Sequence, residues 1–345
     1  MEEKSFKKFL FGVVLKTKET CWDLFKIMIP LIFLIKVIQE LDLLKYFVYP
    51  FEFIMGAVGI PDIYALAWLG AIFNTCYMAM TLIAVFFNDY PLTVEQISVL
   101  GLMILISHSL IIEGAIISKF KVSGIYSIVL RVVCSLFFGY LLHITAQYFG
   151  IMQQRATSIF YGNVEMYHHT FLELYFAGNL AAEFHTWLIN VLWWFYAQAK
   201  TIVLITFVIF MLFVLIQLMK DFNVVQKIDK IFKPFWSIMG ISKRNYTVTS
   251  ICYLIGLSYG YGILKEESEK SISFRKDQPF KVLSFLAIVH AVIEDGIIFM
   301  LLGASGWVVI VGRTLIGILV VWLLVRFIMP RLSERTKNKF LYKGA

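Results

Sequence analysis

Charge is scarce in this chain: Asp, Glu, Lys and Arg make up 16% of 345 residues, and from Tyr46 to Ser118 there is no lysine or arginine at all. Soluble domains carry about a quarter charged and roughly half apolar residues. Here 60% are apolar, 17% are aromatic and the mean hydropathy is +0.79, which excludes an ordinary soluble domain. Cysteine is sparse too. The four, Cys21, Cys76, Cys134 and Cys252, are widely spaced with no C-x-x-C, so neither a disulfide framework nor a zinc ribbon is indicated and buried apolar use is expected. No nucleophile–base set or cofactor motif is present, so no enzyme activity is expected. The alternating pattern of outer-membrane strands is absent as well, which makes any membrane crossing helical. The N-terminal MEEKSFKKFLFGVVLKTKE scatters lysines beside acids and lacks a compact apolar core ending in a cleavage site. It reads as an amphipathic cytoplasmic lead-in rather than a removable signal peptide.

What the chain does have is long apolar runs. Leu24 to Ile35, Ile97 to Ser118, Ile125 to Ile144, Thr201 to Leu218 and Trp307 to Ile328 approach or reach the roughly 20 residues needed to cross about 30 Å of hydrocarbon. An all-α polytopic membrane protein is expected, with the lipid bilayer as its first partner. The net charge of +8 would suggest nucleic acid in a soluble protein, but here it is confined to particular loops and is read by the positive-inside rule. No nucleic acid partner is expected.

The chain also repeats itself. His108 to Arg131, HSLIIEGAIISKFKVSGIYSIVLR, returns as HAVIEDGIIFMLLGASGWVVIVGR from His290 to Arg313, at a constant offset of 182 residues. In this alignment His108 meets His290, Glu113 meets Asp295, Gly114 meets Gly296, Ser123-Gly124 meets Ser305-Gly306 and Arg131 meets Arg313. Upstream, Lys36 and Pro50-Phe51-x-x-Ile54-Met55-Gly56 match Lys220 and Pro234-Phe235-x-x-Ile238-Met239-Gly240 at an offset of 184. Coincident His, Pro, Gly and Arg at near-constant spacing mark a real duplication.

Charge then predicts orientation. The first copy is free of Lys and Arg between Tyr46 and Ser118, whereas Lys220 to Lys281 holds Lys220, Lys227, Lys230, Lys233, Lys243, Arg244, Lys265, Lys270, Arg275, Lys276 and Lys281. Matching segments on opposite sides of a membrane mean inverted repeats, and inversion needs an odd number of crossings per copy. Each copy shows four apolar stretches, so one must not cross. The interrupted stretch, broken at Asn74-Thr75 in one copy and at Ser258 to Gly262 in the other, is the natural re-entrant hairpin. The expected organisation is a lead-in at 1–21, a first repeat at 22–147, an external connector at 148–197 with interfacial helices, an inverted second repeat at 198–329 and a basic cytoplasmic tail at 330–345. Each repeat holds three spanning helices, an interfacial helix and a hairpin. This predicts a multi-pass protein of a prokaryotic cytoplasmic membrane, with both termini cytoplasmic and a homodimer allowed.

The order of elements, together with the segments H-x4-E-G at His108 and H-x3-E-D-G at His290, each followed by a glycine and an arginine, resembles the nucleoside recognition or Gate family of bacteria and archaea. That family is related to the spore maturation A and B proteins, to the membrane part of Feo-type ferrous-iron transporters and to concentrative nucleoside transporters. The resemblance covers nearly all of the chain except the connector, and it implies a transport or gating role.

Ionisable residues at mid-membrane cost about 2.5–3.5 kcal/mol even on generous scales, so they mark candidate sites. His108, Glu113, His290, Glu294 and Asp295 lie near the middle of their spans and are expected to converge where the repeats meet; otherwise each set is a buried pair locking its helix to a neighbour. On a regular helix His108 and Glu113 point about 140° apart, while His290 and Glu294, four residues apart, share a face. Symmetric pairing therefore needs unwound backbone, and Gly114 and Gly296 favour it. At the hairpin tips Asn74, Thr75, Ser258, Tyr259 and Tyr261 are candidates to hydrogen-bond a solute, or else to cap the turns. Arg131 and Arg313 are expected to anchor helices rather than bind cargo. His143, His168, His169 and His185 sit at span ends or in the connector and are expected to be solvated.

The expected function is alternating-access secondary transport of a small polar solute, nucleoside-like by resemblance, with His and carboxylate groups handling coupling protons, since histidine titrates near neutral pH. Two alternatives remain. One is transport of a divalent transition metal held by His108, Glu113, His290, Glu294 and Asp295, with Cys76 and Cys252 near the hairpins. The other is a non-transporting membrane partner in a larger complex.

Overall fold

The computed structural model describes residues 2–87, 89–161, 171–176, 180–222, 224–270 and 277–342. Among these the chain is helical, with two isolated β-bridges and no strand. Helix α1 (Glu2–Glu40) runs without a break through both the lead-in and the first span. Helices α2 (Leu44–Val48) and α3 (Glu52–Ala57) are short, linked by a 3-10 turn over Tyr49–Phe51 that Pro50 opens. Proline suits that position because its fixed φ begins a turn and its missing N–H would have had no partner.

Helices α4 (Ala65–Phe73) and α5 (Cys76–Phe86) are separated by Asn74-Thr75 and fold back on each other. Tyr64 and Phe86, which one continuous helix would hold about 33 Å apart, pack edge-to-face with ring centroids 6.2 Å apart. The chain therefore folds back on itself at Asn74-Thr75.

Helix α6 (Val94–Ser107) starts with a full capping box, Thr93 and Gln96 each satisfying the other's backbone N–H. It is followed by α7 (Leu110–Ser118), α8 (Gly124–Phe149) and α9 (Phe171–Phe176). Helix α10 (Leu180–Asp221) begins well before residue 198, so the second half of the expected connector is continuous with the next span.

In the second copy come α11 (Val224–Ile238), α12 (Tyr246–Ile255), α13 (Leu257–Lys270), α14 (Gln278–Ile288) and α15 (Val292–Leu301). A π-helical turn at Trp307–Gly312, then α16 (Arg313–Leu323) and α17 (Glu334–Phe340), close the described chain.

One expectation is corrected here. The second hairpin turns at Gly256, not at Ser258 to Gly262, and Ser258, Tyr259 and Tyr261 lie on α13. Gly256 has φ +111° and ψ 162°, a region that essentially glycine alone enters. Gly260 then lies so close to Cys252 that a side chain there would strike its sulfur. The Gly-rich run supplies close packing as well as a bend, and composition alone does not distinguish the two.

Five segments among the described residues are long and apolar enough to cross a membrane: Val94–Ser118, Gly124–Phe149, Phe184–Met219, Gln278–Leu301 and Trp307–Arg331. The sixth expected crossing is α1, whose apolar run carries Lys26, Lys36 and Glu40. Leu44–Ala57 and Asp62–Phe73 form an apolar pair bent by 105°. The protein is thus an all-α, multi-pass membrane protein.

Contacts fix the relative direction of the two matching broken helices. At one end Ser305 N donates to Ser98 Oγ, so the end of α15 lies beside the start of α6. At the other, Tyr126 OH meets Ser284 Oγ at 2.9 Å and Ser123 N donates to Leu341 O, which brings the α7–α8 turn, α14 and the C-terminal tail together. The pairs α6–α7 and α14–α15 therefore run antiparallel.

Gly114 and Gly124 let α7 and α8 approach closely, since a Cβ on Gly124 would stand 2.6 Å from Gly114 O and 2.5 Å from Ser118 Oγ. Gly124→Ala should cost about 1–3 kcal/mol by overpacking, whereas Gly56→Ala, with nothing within 4 Å, should be near neutral. Thermal unfolding of the detergent-purified variants tests this; equal melting points would refute the close approach.

Candidate functional site

The site grows out of two interruptions. Helix α6 ends at Ser107, His108 is extended (φ −70°, ψ 157°), and Ser109 is left-handed (φ 50°, ψ 34°) before α7 resumes. In the second copy Val289 is extended (φ −134°, ψ 99°) and Ala291 is left-handed (φ 48°, ψ 36°) before α15 starts. A left-handed non-glycine residue costs about 1–2 kcal/mol, and here it occurs twice at matching positions. Backbone contacts hold both: Ser109 N donates to Ala71 O at 2.8 Å, and Ala291 N to Cys252 O at 3.4 Å. Ser109 Oγ also donates to Asn74 O, tying the first hairpin tip to the first break. The unwinding expected from symmetric His–acid pairing is present, but it falls at the histidines rather than at Gly114 and Gly296, which are helical.

A broken helix strands carbonyls in a place where water cannot reach them, and each unsatisfied one costs several kcal/mol. Arginine and histidine take them up. Arg131 Nε donates to Ile106 O at 2.6 Å and its Nη2 to His108 O at 2.6 Å. Arg313 Nε donates to Ile288 O at 3.0 Å, and its Nη2 reaches across to Leu105 O at 2.6 Å. His108 Nδ1 faces Ile104 O at 3.3 Å and His290 Nδ1 faces Leu286 O at 2.7 Å. Cationic and N–H groups at a helix C-terminus also suit its dipole. Both guanidinium groups are completely buried. They anchor helices, as expected, and they also build the site.

The restarting helices place their acids in the first turn, where the positive end of the dipole favours them. Glu113 Oε2 accepts from Arg131 Nη1 at 2.7 Å, while its Oε1 lies 3.0 Å from His290 Nε2 and 3.5 Å from His108 Nε2. The histidines themselves meet, Nε2 to Nε2 at 3.2 Å. Asp295 Oδ2 lies 3.7 Å from His108 Nε2 and 3.9 Å from Arg313 Nη1, with no hydrogen bond to either. Its other oxygen accepts from Cys76 Sγ at 3.2 Å.

Glu294 departs from expectation. It does not pair with His290, because the break at Ala291 rotates it away, and it instead accepts from Tyr77 OH at 2.8 Å. Asn74 and Thr75 stand at the tip beside this cluster, and Asn74 Nδ2 and Thr75 Oγ1 are buried without a partner. Tyr261 is not in the cluster. It packs on Phe120, ring centroids 5.8 Å apart, with the Lys119 ammonium 5.1 Å from its ring centre. The side chains of Ser258 and Tyr259 lie outside the described residues, as do His168 and His169. His143 is not simply solvated, since its Nδ1 pairs with the buried Glu95 at 2.7 Å.

Tyr77 and Ser109 are members that sequence reasoning did not place, while Cys76 was placed near the first hairpin only in the metal reading. At the offset of 182 residues Cys76 and Tyr77 meet Ser258 and Tyr259, a match that could have singled out Tyr77, and Ser109 is an ordinary residue until its backbone turns left-handed.

With both imidazoles neutral, two N–H groups are available, and two backbone carbonyls sit at the Nδ1 positions to accept them. Both Nε2 lone pairs then face each other and the oxygens of Glu113 and Asp295. Such a convergence of acceptors in low dielectric calls for a positive charge at its centre.

No known protein family profile matches the chain. A Bacillus subtilis (strain 168) protein named "Uncharacterized membrane protein YvoD" is 23% identical over 308 residues, covering 87% of this chain and 89% of that protein. No solved structure matches. The likeness agrees with the fold in supporting a membrane protein.

Removing Arg131 would leave Glu113 charged and two carbonyls bare. Arg131→Ala should destabilise the protein by about 3–5 kcal/mol, whereas Tyr77→Phe, which deletes one hydrogen bond to a carboxylate, should cost about 1.5–3 kcal/mol. Thermal unfolding in detergent measures both, and an Arg131→Ala protein as stable as wild type would contradict the capping role.

Proposed function

We propose that the protein is a secondary transporter of a small polar solute, working by alternating access around the His108–His290 cluster, with the histidine and carboxylate groups carrying a coupling cation, a proton in its simplest form. The observation that carries this reading is a set of buried polar atoms without partners: Asn74 Nδ2, Thr75 Oγ1, Asp295 Oδ2 and Arg313 Nη1. Buried polar groups are normally satisfied, so donors and an acceptor left open around one cluster point to an occupant that supplies the missing bonds. Discontinuous helices at the junction of two antiparallel segments are where transporters place cargo and ions. The resemblance to the nucleoside recognition family points to the same role and to a nucleoside-like cargo.

The latch between the halves is specific. Cys76 and Tyr77, in the first turn of α5, hold Asp295 and Glu294 on α15. Moving the α4–α5 hairpin breaks both bonds and opens the cluster from one side. The hairpin is then the re-entrant gate, and the basic turns at Lys119, Lys121 and Lys281, with the Lys337 tail, mark the cytoplasmic face of a prokaryotic inner membrane.

The test is uptake into proteoliposomes of labelled uridine and a panel of other small polar solutes. Wild type should accumulate at least one of them, and His108→Ala and His290→Ala should each slow it by about tenfold or more, the loss expected for a hydrogen bond to a charged group. Undiminished uptake by both variants would sink the assignment.

A further inference from the structure

We infer that His108, His290 and Asp295 form a binding site for one divalent first-row transition-metal ion. The three side chains are buried, and one ligand atom from each lies within 4.8 Å of the others. The tighter spacings are the more telling. The two Nε2 atoms are 3.2 Å apart, and His108 Nε2 is 3.7 Å from Asp295 Oδ2. A tetrahedral ion with ligands at about 2.0–2.1 Å has ligand atoms about 3.3 Å apart, so two of the three edges already stand near such a shell, and the third, His290 to Asp295, lies within 4.8 Å.

The surroundings prepare the ligands. Each imidazole turns Nδ1 toward a main-chain carbonyl, Ile104 O and Leu286 O, and this is the outer contact that fixes Nε2 as the metal-facing lone pair. Asp295 is held by its other oxygen on Cys76, which leaves Oδ2 without a hydrogen-bond partner, 3.7 Å from His108 Nε2 and 3.9 Å from Arg313 Nη1. Glu113, bonded to Arg131, brings a further oxygen 3.0 Å from His290 Nε2 and adds negative charge beside the site. Two imidazoles and a carboxylate favour Zn(II), Fe(II), Mn(II) or Co(II) over Mg(II) and Ca(II), which prefer all-oxygen shells.

As coupling ion or cargo, the metal rests on the transport reading above. As a bound ion it does not. The full-length protein, purified in detergent and stripped of metal, is titrated with Co(II). The expected result is one ion per chain with visible ligand-field bands and imidazole scattering in X-ray absorption, competed by Zn(II) and not by excess Mg(II) or Ca(II). His290→Ala and Asp295→Asn should abolish the bands. Cys76→Ala, which keeps all three ligands and removes only the outer contact, should weaken Co(II) binding by about 10–100-fold, and Cys76→Ser should restore it.

Should a ligand variant fail to fold, the Cys76 pair and the metal competition still decide the matter. Absence of stoichiometric Co(II) and Zn(II) binding, equal competition by Mg(II), or bands that persist in Asp295→Asn would overturn the site. Co(II) bound but never moved into proteoliposomes would leave the site standing and count against transport. Solute uptake without any bound metal would do the reverse.

Discussion

Two arginines make this interior possible. A helix that stops inside hydrocarbon leaves its last carbonyls with nothing to bond, and this chain stops two helices there. Arg131 and Arg313 each reach back 25 residues to the carbonyl two or so positions before a break, Ile106 or Ile288, and each spends a second donor on another stranded carbonyl. The guanidinium fork suits this work because its donors are rigid, planar and permanently charged. Arg313 also crosses to the other copy, so the first break draws part of its capping from the second.

Once the breaks are held, the rest of the cluster follows. Restarting a helix two residues later puts a carboxylate in the first turn and swings a histidine out of the helical path toward the axis between the copies. Because the two broken helices run antiparallel, their histidines arrive face to face and their acids flank the pair. The result is a centre where two imidazole nitrogens meet the carboxylates of Glu113 and Asp295. The two hairpins support it unequally. The tip at Asn74-Thr75 feeds Cys76 and Tyr77 to the acids of the other copy, while at the second tip Gly256 lies against Ala291. The side-chain atoms Asn74 Nδ2 and Thr75 Oγ1, buried without a hydrogen-bond partner, lie beside this latch.

Much of the architecture was legible in the residues. Hydropathy showed an all-helical membrane protein, the paired His, Gly and Arg at one offset were read as a duplication, and the contrast between a Lys- and Arg-free segment and its basic twin predicted opposite directions for α6–α7 and α14–α15. The histidines, Glu113 and Asp295 were legible because ionisable groups are rare in such runs. The failures were local. The second hairpin was misplaced because glycine serves both bends and close helix contacts, and only backbone angles tell Gly256 from Gly260. Glu294 was assigned to His290 by helical periodicity, a rule that lapses where the helix is cut. Tyr261 was drawn toward the site by its neighbours in sequence and lies instead against Lys119 and Phe120.

The sequence alone therefore determined the solvent of this protein, its repeated plan and the short set of groups too costly to bury without purpose, since composition, periodicity and charge act on the chain one residue at a time. The tertiary structure decided which of those groups meet. Convergence of His108, His290 and Asp295, the capture of Glu294 by Tyr77, and the open valences at Asn74, Thr75 and Arg313 all depend on where two helices stop and how two hairpins close over them. Those are contacts between segments up to about two hundred residues apart, where no periodicity along the chain can report them.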